Sequence, residues 1–260
     1  MTPRDAATTR PVVPRDAATV VLLRDRPGGV EVFLLRRVLA MAFAGGMTAF
    51  PGGSVDARDA EAALRWIGPD PATWAERFGA SAAVARAIAA AAVRETFEEA
   101  GVLLAAGTVM DRDWTAERVA LERRELSLAD LLTRHRLSLR TELLAPWSHW
   151  ITPEIEPRRY DTRFLVAAVP AGQRTVQTTG EADDVAWARP ADALAELASG
   201  HRRMFAPTIV TLREIAGYDA VADVVAAAPD RPIGAVLPTV RGRQVLLPDG
   251  SAFPVPGAPR

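Results

Sequence analysis

From Ser81 to Gly101 the chain spells out one long helix whose character changes along its length. Ser81 is a natural N-cap, and Gly101 is a natural C′ residue at which the helix stops. The first half, Ala82–Val93, is almost all alanine, so neighbouring elements can pack tightly against it. The last turns instead carry Arg94, Glu95, Glu98 and Glu99. Glu95 stands three residues from Glu98 and four from Glu99, which projects all three carboxylates toward one side. Like charges at these spacings destabilise a helix unless something positive lies among them, and here they also sit at the negative end of the dipole. Both effects favour a bound cation, and clustered carboxylates supply the oxygen ligands that hard divalent ions take. A solvated acidic face is the bland alternative, and the position near the helix C-terminus argues against it.

The remaining composition narrows the function classes. The chain has 260 residues, 49% of them hydrophobic and 24% charged, enough for one large domain or two small ones and for a real core. A net charge of −1 argues against nucleic-acid or membrane-surface binding through bulk electrostatics. There is no cysteine, which excludes disulfides, thiolate catalysis and zinc–thiolate sites. The three histidines, at 135, 149 and 201, are too scattered for a histidine-rich metal site. No run of 18 apolar residues exists, since Arg86 interrupts the alanine stretch, and no membrane span is expected. Arg4 and Asp5 with no apolar segment after them do not make a secretory signal, so a cytoplasmic location is expected.

Along the chain, residues 1–16 read as a loose tail and 17–230 as the main domain. Ala18–Arg24 and Val30–Arg37 flank Arg26-Pro27-Gly28-Gly29, a hairpin with strong turn chemistry. A strand at Met47–Phe50 ends at Pro51-Gly52-Gly53, where glycines let the backbone approach a ligand. A helical insert is expected at about 60–86, with Asp70-Pro71 opening a helix that Gly79 closes. Surface helices at Thr115–Glu125 and Ser127–His135 precede strands at Leu143–Ile151, Thr162–Val169 and Asp184–Ala188. Helices at Ala191–Ala198, Pro207–Ala216 and Asp219–Ala227 follow. Residues 231–260 read as an extension holding a hairpin, Ile233–Val240 and Gln244–Leu247, that covers a sheet edge or pairs with a second subunit as a homodimer. Strands and helices mingle without strict βαβ alternation, so the expected fold is α/β (α+β) with a mixed sheet covered on both faces.

Gly53…Arg94-Glu95-Thr96-Phe97-Glu98-Glu99-Ala100-Gly101-Val102 resembles the Nudix box. That signature opens on glycine, has an acidic residue six positions later, here Asp59 where glutamate is usual, and ends in the Arg-Glu-…-Glu-Glu-x-Gly helix. Between Asp59 and Arg94 lie 34 residues, about 27 more than the usual box holds. An insertion between a loop and a helix need not move either. A box interrupted in this way is similar to the subgroup that contains the peroxisomal coenzyme A diphosphatases. Segments around Leu34-Leu35-Arg36-Arg37, Phe50-Pro51-Gly52-Gly53, Trp147–Pro153 and Arg158–Phe164 agree with it.

The resemblance implies a Nudix-type α/β/α sandwich and hydrolysis of a pyrophosphate in a nucleoside diphosphate joined to another group. It implies Mg²⁺ or Mn²⁺ as cofactor, held by Glu95, Glu98 and Glu99 with the Gly52 carbonyl. Glu98 is a further ligand or the base that activates water, and the acidic run Glu181-Ala182-Asp183-Asp184 is the other place a base can lie. Arg94 is expected to hold a glutamate by a charge-assisted hydrogen bond. Arg36, Arg37, Arg159 and Arg163 are candidates to grip substrate phosphates, with structural salt bridges as the alternative. Trp147, Trp150 and Tyr160 either stack on adenine or belong to the core, and His149 reads as structural. The implied partner is a small-molecule nucleotide conjugate: coenzyme A or its thioesters, or instead ADP-ribose or NADH. A non-catalytic nucleotide-binding module is the other class, and it typically lacks a box glutamate. The insert is expected to cap the site and favour bulky substrates.

Overall fold

The computed structural model describes residues 12–39, 44–60, 64–110, 112–176 and 182–256. The expected hairpin is present: β1 (Arg15–Arg26) and β2 (Gly29–Arg37) pair antiparallel, Arg26 opposite Gly29. Gly28 and Gly29 take φ values of 103° and 113°, a region that side chains with a Cβ disfavour. Residues 1–11 of the expected tail lie outside the described residues. Arg15 and Asp16 do not belong to a tail, because they pair with Tyr160 and Asp161 in the sheet.

Two short strands follow, β3 (Thr48–Ala49) on β2 and β4 (Gly52–Ser54) on β1. Then come β5 (Trp66–Ile67), α1 (Pro71–Phe78), α2 (Ala82–Ala100), β6 (Ala105–Ala106), α3 (Thr115–Glu122), α4 (Leu128–Arg134) and β7 (Ser138–Arg140). The long strands β8 (Ala145–Ile151), β9 (Tyr160–Ala168) and β10 (Ala182–Ala188) lead into α5 (Pro190–Ser199), α6 (Ala206–Ile215) and α7 (Val221–Ala227). The chain closes with β11 (Ala235–Val236), β12 (Thr239–Arg241), β13 (Gln244–Leu246) and β14 (Ala252–Pro254).

The main sheet runs β10-β2-β1-β9-β8-β11, with β3 and β4 paired on β2 and β1. It is mixed, since β1 is parallel to β9 and β11 to β8 while the other pairs are antiparallel. Period-two alternation along β1 sends its apolar side chains to two different cores. Ala18, Val20 and Leu22 pack with Ile88, Ala92 and Phe97 of α2, and Val21 and Leu23 pack with Leu212, Ile215 and Val224 of α6 and α7. The result is an α/β/α sandwich. Ala89–Ala92 are wholly buried, and alanine permits that close approach of helix to sheet. Among the described residues no helix is long and apolar enough to cross a membrane.

The C-terminal segment differs from the expected two-stranded hairpin. Ala235–Val236 splits off and pairs with His149–Trp150 at the edge of the main sheet. The turn at Gly242 joins β12 to β13, and β14 adds a third strand to that small sheet. A second small sheet, β5-β7-β6, was not anticipated, because strands of two or three residues are too short to show a period.

Candidate active site

Helix α2 is capped as its sequence predicts. Ser81 accepts a hydrogen bond from the Val84 amide at 3.3 Å, and Gly101 takes φ 71° with its N–H on the Phe97 carbonyl. The cap fixes where the helix ends, and so fixes where its last two turns present their charges. Strand β4 runs beside those turns. The Gly52 amide donates to Glu99 Oε2 at 2.7 Å. A Cβ on Gly53 would stand 2.6 Å from Glu95 Oε1, so only glycine leaves that carboxylate its place. At Gly52 a Cβ would stand 2.4 Å from the Ala18 carbonyl oxygen of β1.

Arg94 lies at the centre of the network. Its Nη1 donates to Glu95 Oε1 at 2.7 Å and stands 3.4 Å from Glu98 Oε1. Its Nε and Nη2 grip the Asp59 carboxylate at 2.9–3.2 Å, and Nη2 also donates to the Ser54 carbonyl at 2.9 Å. Asp59 is 2% exposed and Arg94 8%, so this is a buried, multiply hydrogen-bonded ion pair. Asp59 sits on the 3-10 turn Ala57–Ala60, where its carboxylate also accepts from the Asp56 amide at 2.8 Å. The acidic position of the box therefore orients Arg94, a role that spacing alone left open. Burial, then the neighbouring Glu95 charge, raise the pKa of Glu98 to about 7, against the pull of Arg94.

Glu95, Glu98, Glu99 and Gly52 line one cavity of about 760 Å³. Trp150, Phe164, Phe205, Val240 and Val245 give the same cavity a broad apolar wall, to which β8, β9, α6 and the C-terminal sheet contribute. Arg37, Arg58 and Arg124 add positive charge to its lining. Arg58 hydrogen-bonds Asp56 at 3.1 Å and thereby lowers that carboxyl to a pKa of about 2. Neither Arg58 nor Arg124 stood out in the sequence, since a lone arginine carries no pattern.

The candidates divide clearly. Arg94, Glu95, Glu98, Glu99, Gly52 and Arg37 meet at the cavity. Arg36, Arg159 and Arg163 are not among its lining residues. Arg36 is exposed on β2, opposite Asp184 and Thr48. Arg159 is buried with its guanidinium on the Thr152 and Val12 carbonyls, at 3.0 and 2.7 Å. Arg163 is buried against Asp161 and donates to the Phe78 carbonyl of α1 at 3.1 Å. These last two hold chain segments together, because successive strand residues face opposite sides and Tyr160, Thr162 and Phe164 of their stretch are the ones that reach the cavity.

His149 also pairs with Asp161, outside the cavity lining. Trp147 is fully buried and donates to Glu214 at 2.7 Å, whereas Trp150 and Tyr160 line the cavity. In the acidic run, Glu181 lies outside the described residues, and Ala182 and Asp184 belong to β10. No described residue between 64 and 93 lines the cavity, so the described part of the insert does not cap it.

Among the described residues no three acidic or histidine side chains are gathered at ligand spacing, and Arg94 and the Gly52 amide each hold one box carboxylate. The chemistry of the donor set nevertheless suits a hard divalent ion, with three half-buried or buried carboxylates facing one cavity and the pKa of one of them, Glu98, raised by burial and then by the charge of Glu95.

Comparisons with known proteins agree with this geometry. The NUDT19 Nudix domain matches residues 73–215, more than half of the chain. Acyl-coenzyme A diphosphatase NUDT19 of Gallus gallus is 25% identical over 84% of this chain and 72% of its own length. The Xenopus laevis protein of the same name is also 25% identical, over 65% of this chain and 55% of its own length. A NUDIX hydrolase from Alicyclobacillus acidocaldarius superposes with a TM-score of 0.70 at 28% identity, over 85% of this chain and 98% of that one. With its box glutamates, its interrupted signature and its sandwich in place, the chain belongs to the NUDT19 Nudix domain family and is a hydrolase of phosphoric anhydrides.

Proposed function

We propose that the chain hydrolyses the pyrophosphate of coenzyme A or its thioesters, releasing 3′-phosphoadenosine 5′-phosphate and a phosphopantetheine product. The observation that carries this reading is the shared cavity, in which the carboxylates of α2 and a broad apolar wall serve one ligand. Such a site suits a substrate with a charged anhydride and a long, less polar arm. The names of the chicken and frog relatives point the same way.

In this reading Glu95, Glu98 and Glu99 hold Mg²⁺ or Mn²⁺, with the Gly52 carbonyl completing the set. The ion, when bound, offsets the negative charge of the pyrophosphate and acidifies the attacking water. Glu98 is either a further ligand or the base, and in the second role it would accept the proton of the attacking water. Arg94, anchored by Asp59 and Ser54, fixes the Glu95 carboxylate. Arg37, Arg58 and Arg124 supply positive charge toward substrate phosphates, and Trp150 and Tyr160 offer rings to the adenine or the arm.

The test is a panel of coenzyme A, acyl thioesters, ADP-ribose and NADH incubated with Mg²⁺ or Mn²⁺, with products identified by mass. Coenzyme A or a thioester is expected to have the highest kcat/KM, and preference for ADP-ribose or NADH would replace this assignment. Turnover is expected to stop on exhaustive chelation and return with added metal. Glu99→Gln is expected to lower kcat by at least a hundredfold with little change in thermal unfolding, because the amide oxygen still accepts from Gly52 while the charge is lost. Undiminished turnover by this variant at saturating metal would remove Glu99 as a ligand.

A further inference from the structure

A second cavity, of about 280 Å³, lies beside the C-terminal end of α2 and shares no lining residue with the catalytic one. Helix α3 stands between the two, with Arg118 lining the smaller cavity and Leu121 and Glu122 lining the larger. Among the described residues, three lining arginines, Arg112, Arg118 and Arg174, face one lining carboxylate, Asp113, and Trp114 and Val109 provide apolar surface. Asp113 is already committed, accepting from the Thr115 amide at 2.9 Å and its hydroxyl at 2.6 Å at the start of α3. The Arg112 guanidinium lies 4.7 Å from the centre of the Trp114 ring and only 3.5 Å, at the limit of a hydrogen bond, from Glu117.

Arg118 is the telling residue. It is 7% exposed, its Nη2 donates to the Glu98 carbonyl at 2.9 Å, and its Nε is buried with no partner among the described residues. Glu122, one turn along α3, acts on Arg118 through charge alone, and burying a guanidinium's five N–H donors against one neutral carbonyl is costly unless an anion comes within hydrogen-bonding reach. The wall around it is built rather than loose. Gln173 spans both backbone groups of Leu103 at 2.8 and 2.9 Å, and Gly101, at φ 71°, has no Cβ to stand 3.3 Å from Arg118 Nη1.

We infer that this cavity is a second ligand site, which takes a small phosphate monoester bearing a flat or apolar group. The forked donors of the arginines match phosphate oxygens, and the indole of Trp114 with Val109 receives the rest of the molecule. A chelator removes the metal that would draw anions to the catalytic carboxylates, so binding that persists and depends on Arg112 and Arg174 belongs to this site.

Phenyl phosphate titrated calorimetrically into the full chain in excess EDTA tests it. One binding site is expected in the wild type, and at least tenfold weaker binding in Arg112→Gln/Arg174→Gln. That double variant should keep wild-type turnover of the pyrophosphate substrate after metal is restored, because neither arginine reaches the catalytic cavity. No binding by the wild type at millimolar ligand, or equal binding by wild type and double variant, overturns the inference. Phenylacetate binding as tightly as phenyl phosphate overturns the assignment to phosphate and leaves a general anion site.

Discussion

Asp59 shows what a single residue contributes that its neighbours in sequence do not reveal. The carboxylates of α2 were legible because helical period is local: residues three and four apart must share a side. The partner of Arg94 was not, because it lies 35 positions away across an insertion, and no local rule joins a loop to a helix over that distance. Once paired, the two form a buried unit that also fixes Glu95. Asp59→Ala leaves the Arg94 charge buried without its main counterion, and removing one partner of such a pair costs about 3–5 kcal/mol. Chemical denaturation should show a loss of that order, and kcat should fall as well because Glu95 loses its orienting partner. A variant with wild-type stability and turnover would mean that Ser54 and Glu95 alone hold Arg94. Arg159 and Arg163 teach the reverse lesson, since arginine type suggested phosphate binding and their strand register turned them to carbonyls and Asp161 instead.

At the scale of elements, helix boundaries carried the clearest signal. Asp70 caps α1 by accepting from the Thr73 amide at 2.8 Å, and Gly79 closes it at φ 60°. Capping chemistry is short-ranged, so it survives translation from sequence to structure. The destination of α1 was not legible, because an amphipathic helix states which face it buries and not against what. Trp74 and Phe78 of α1 are 3% and 2% exposed in the core shared with α2, and the Phe78 carbonyl receives Arg163. The insert is thus a buttress for the catalytic helix. Trp74→Ala should destabilise the protein by about 3–5 kcal/mol, the usual cost of removing a buried aromatic side chain. The ratio of kcat/KM for coenzyme A to that for ADP-ribose should stay unchanged in the folded fraction. A shifted ratio with stability intact would restore a substrate-selecting role to the insert.

For the whole molecule, the sandwich places a negative cluster, offset in part by Arg94, where the main core meets the catalytic cavity, and that position links stability to pH and metal. Glu98 ordinarily titrates near 4.5 and is raised to about 7 in the fold. Between these values the native state keeps a proton that the unfolded chain releases, so stability falls as pH rises through the window and levels off above about 7. The difference corresponds to about 3 kcal/mol for the metal-free protein. Asp56 works in the opposite sense, but its window lies lower, between about 2 and its ordinary 3.8, and does not mask the effect. In EDTA, the thermal midpoint should therefore decline from pH 5 to pH 7 in the wild type and decline far less in Glu98→Gln, where position 98 has no carboxylate to ionise. Millimolar Mg²⁺ should reverse the wild-type trend, because a cation needs the deprotonated carboxylate and binds only the folded chain. Calorimetry in buffers of different ionisation enthalpy should then record proton release on metal binding at pH 6 and almost none at pH 8.5. If the metal-free wild type and Glu98→Gln follow the same curve, the charge on Glu98 is not what this fold strains to hold.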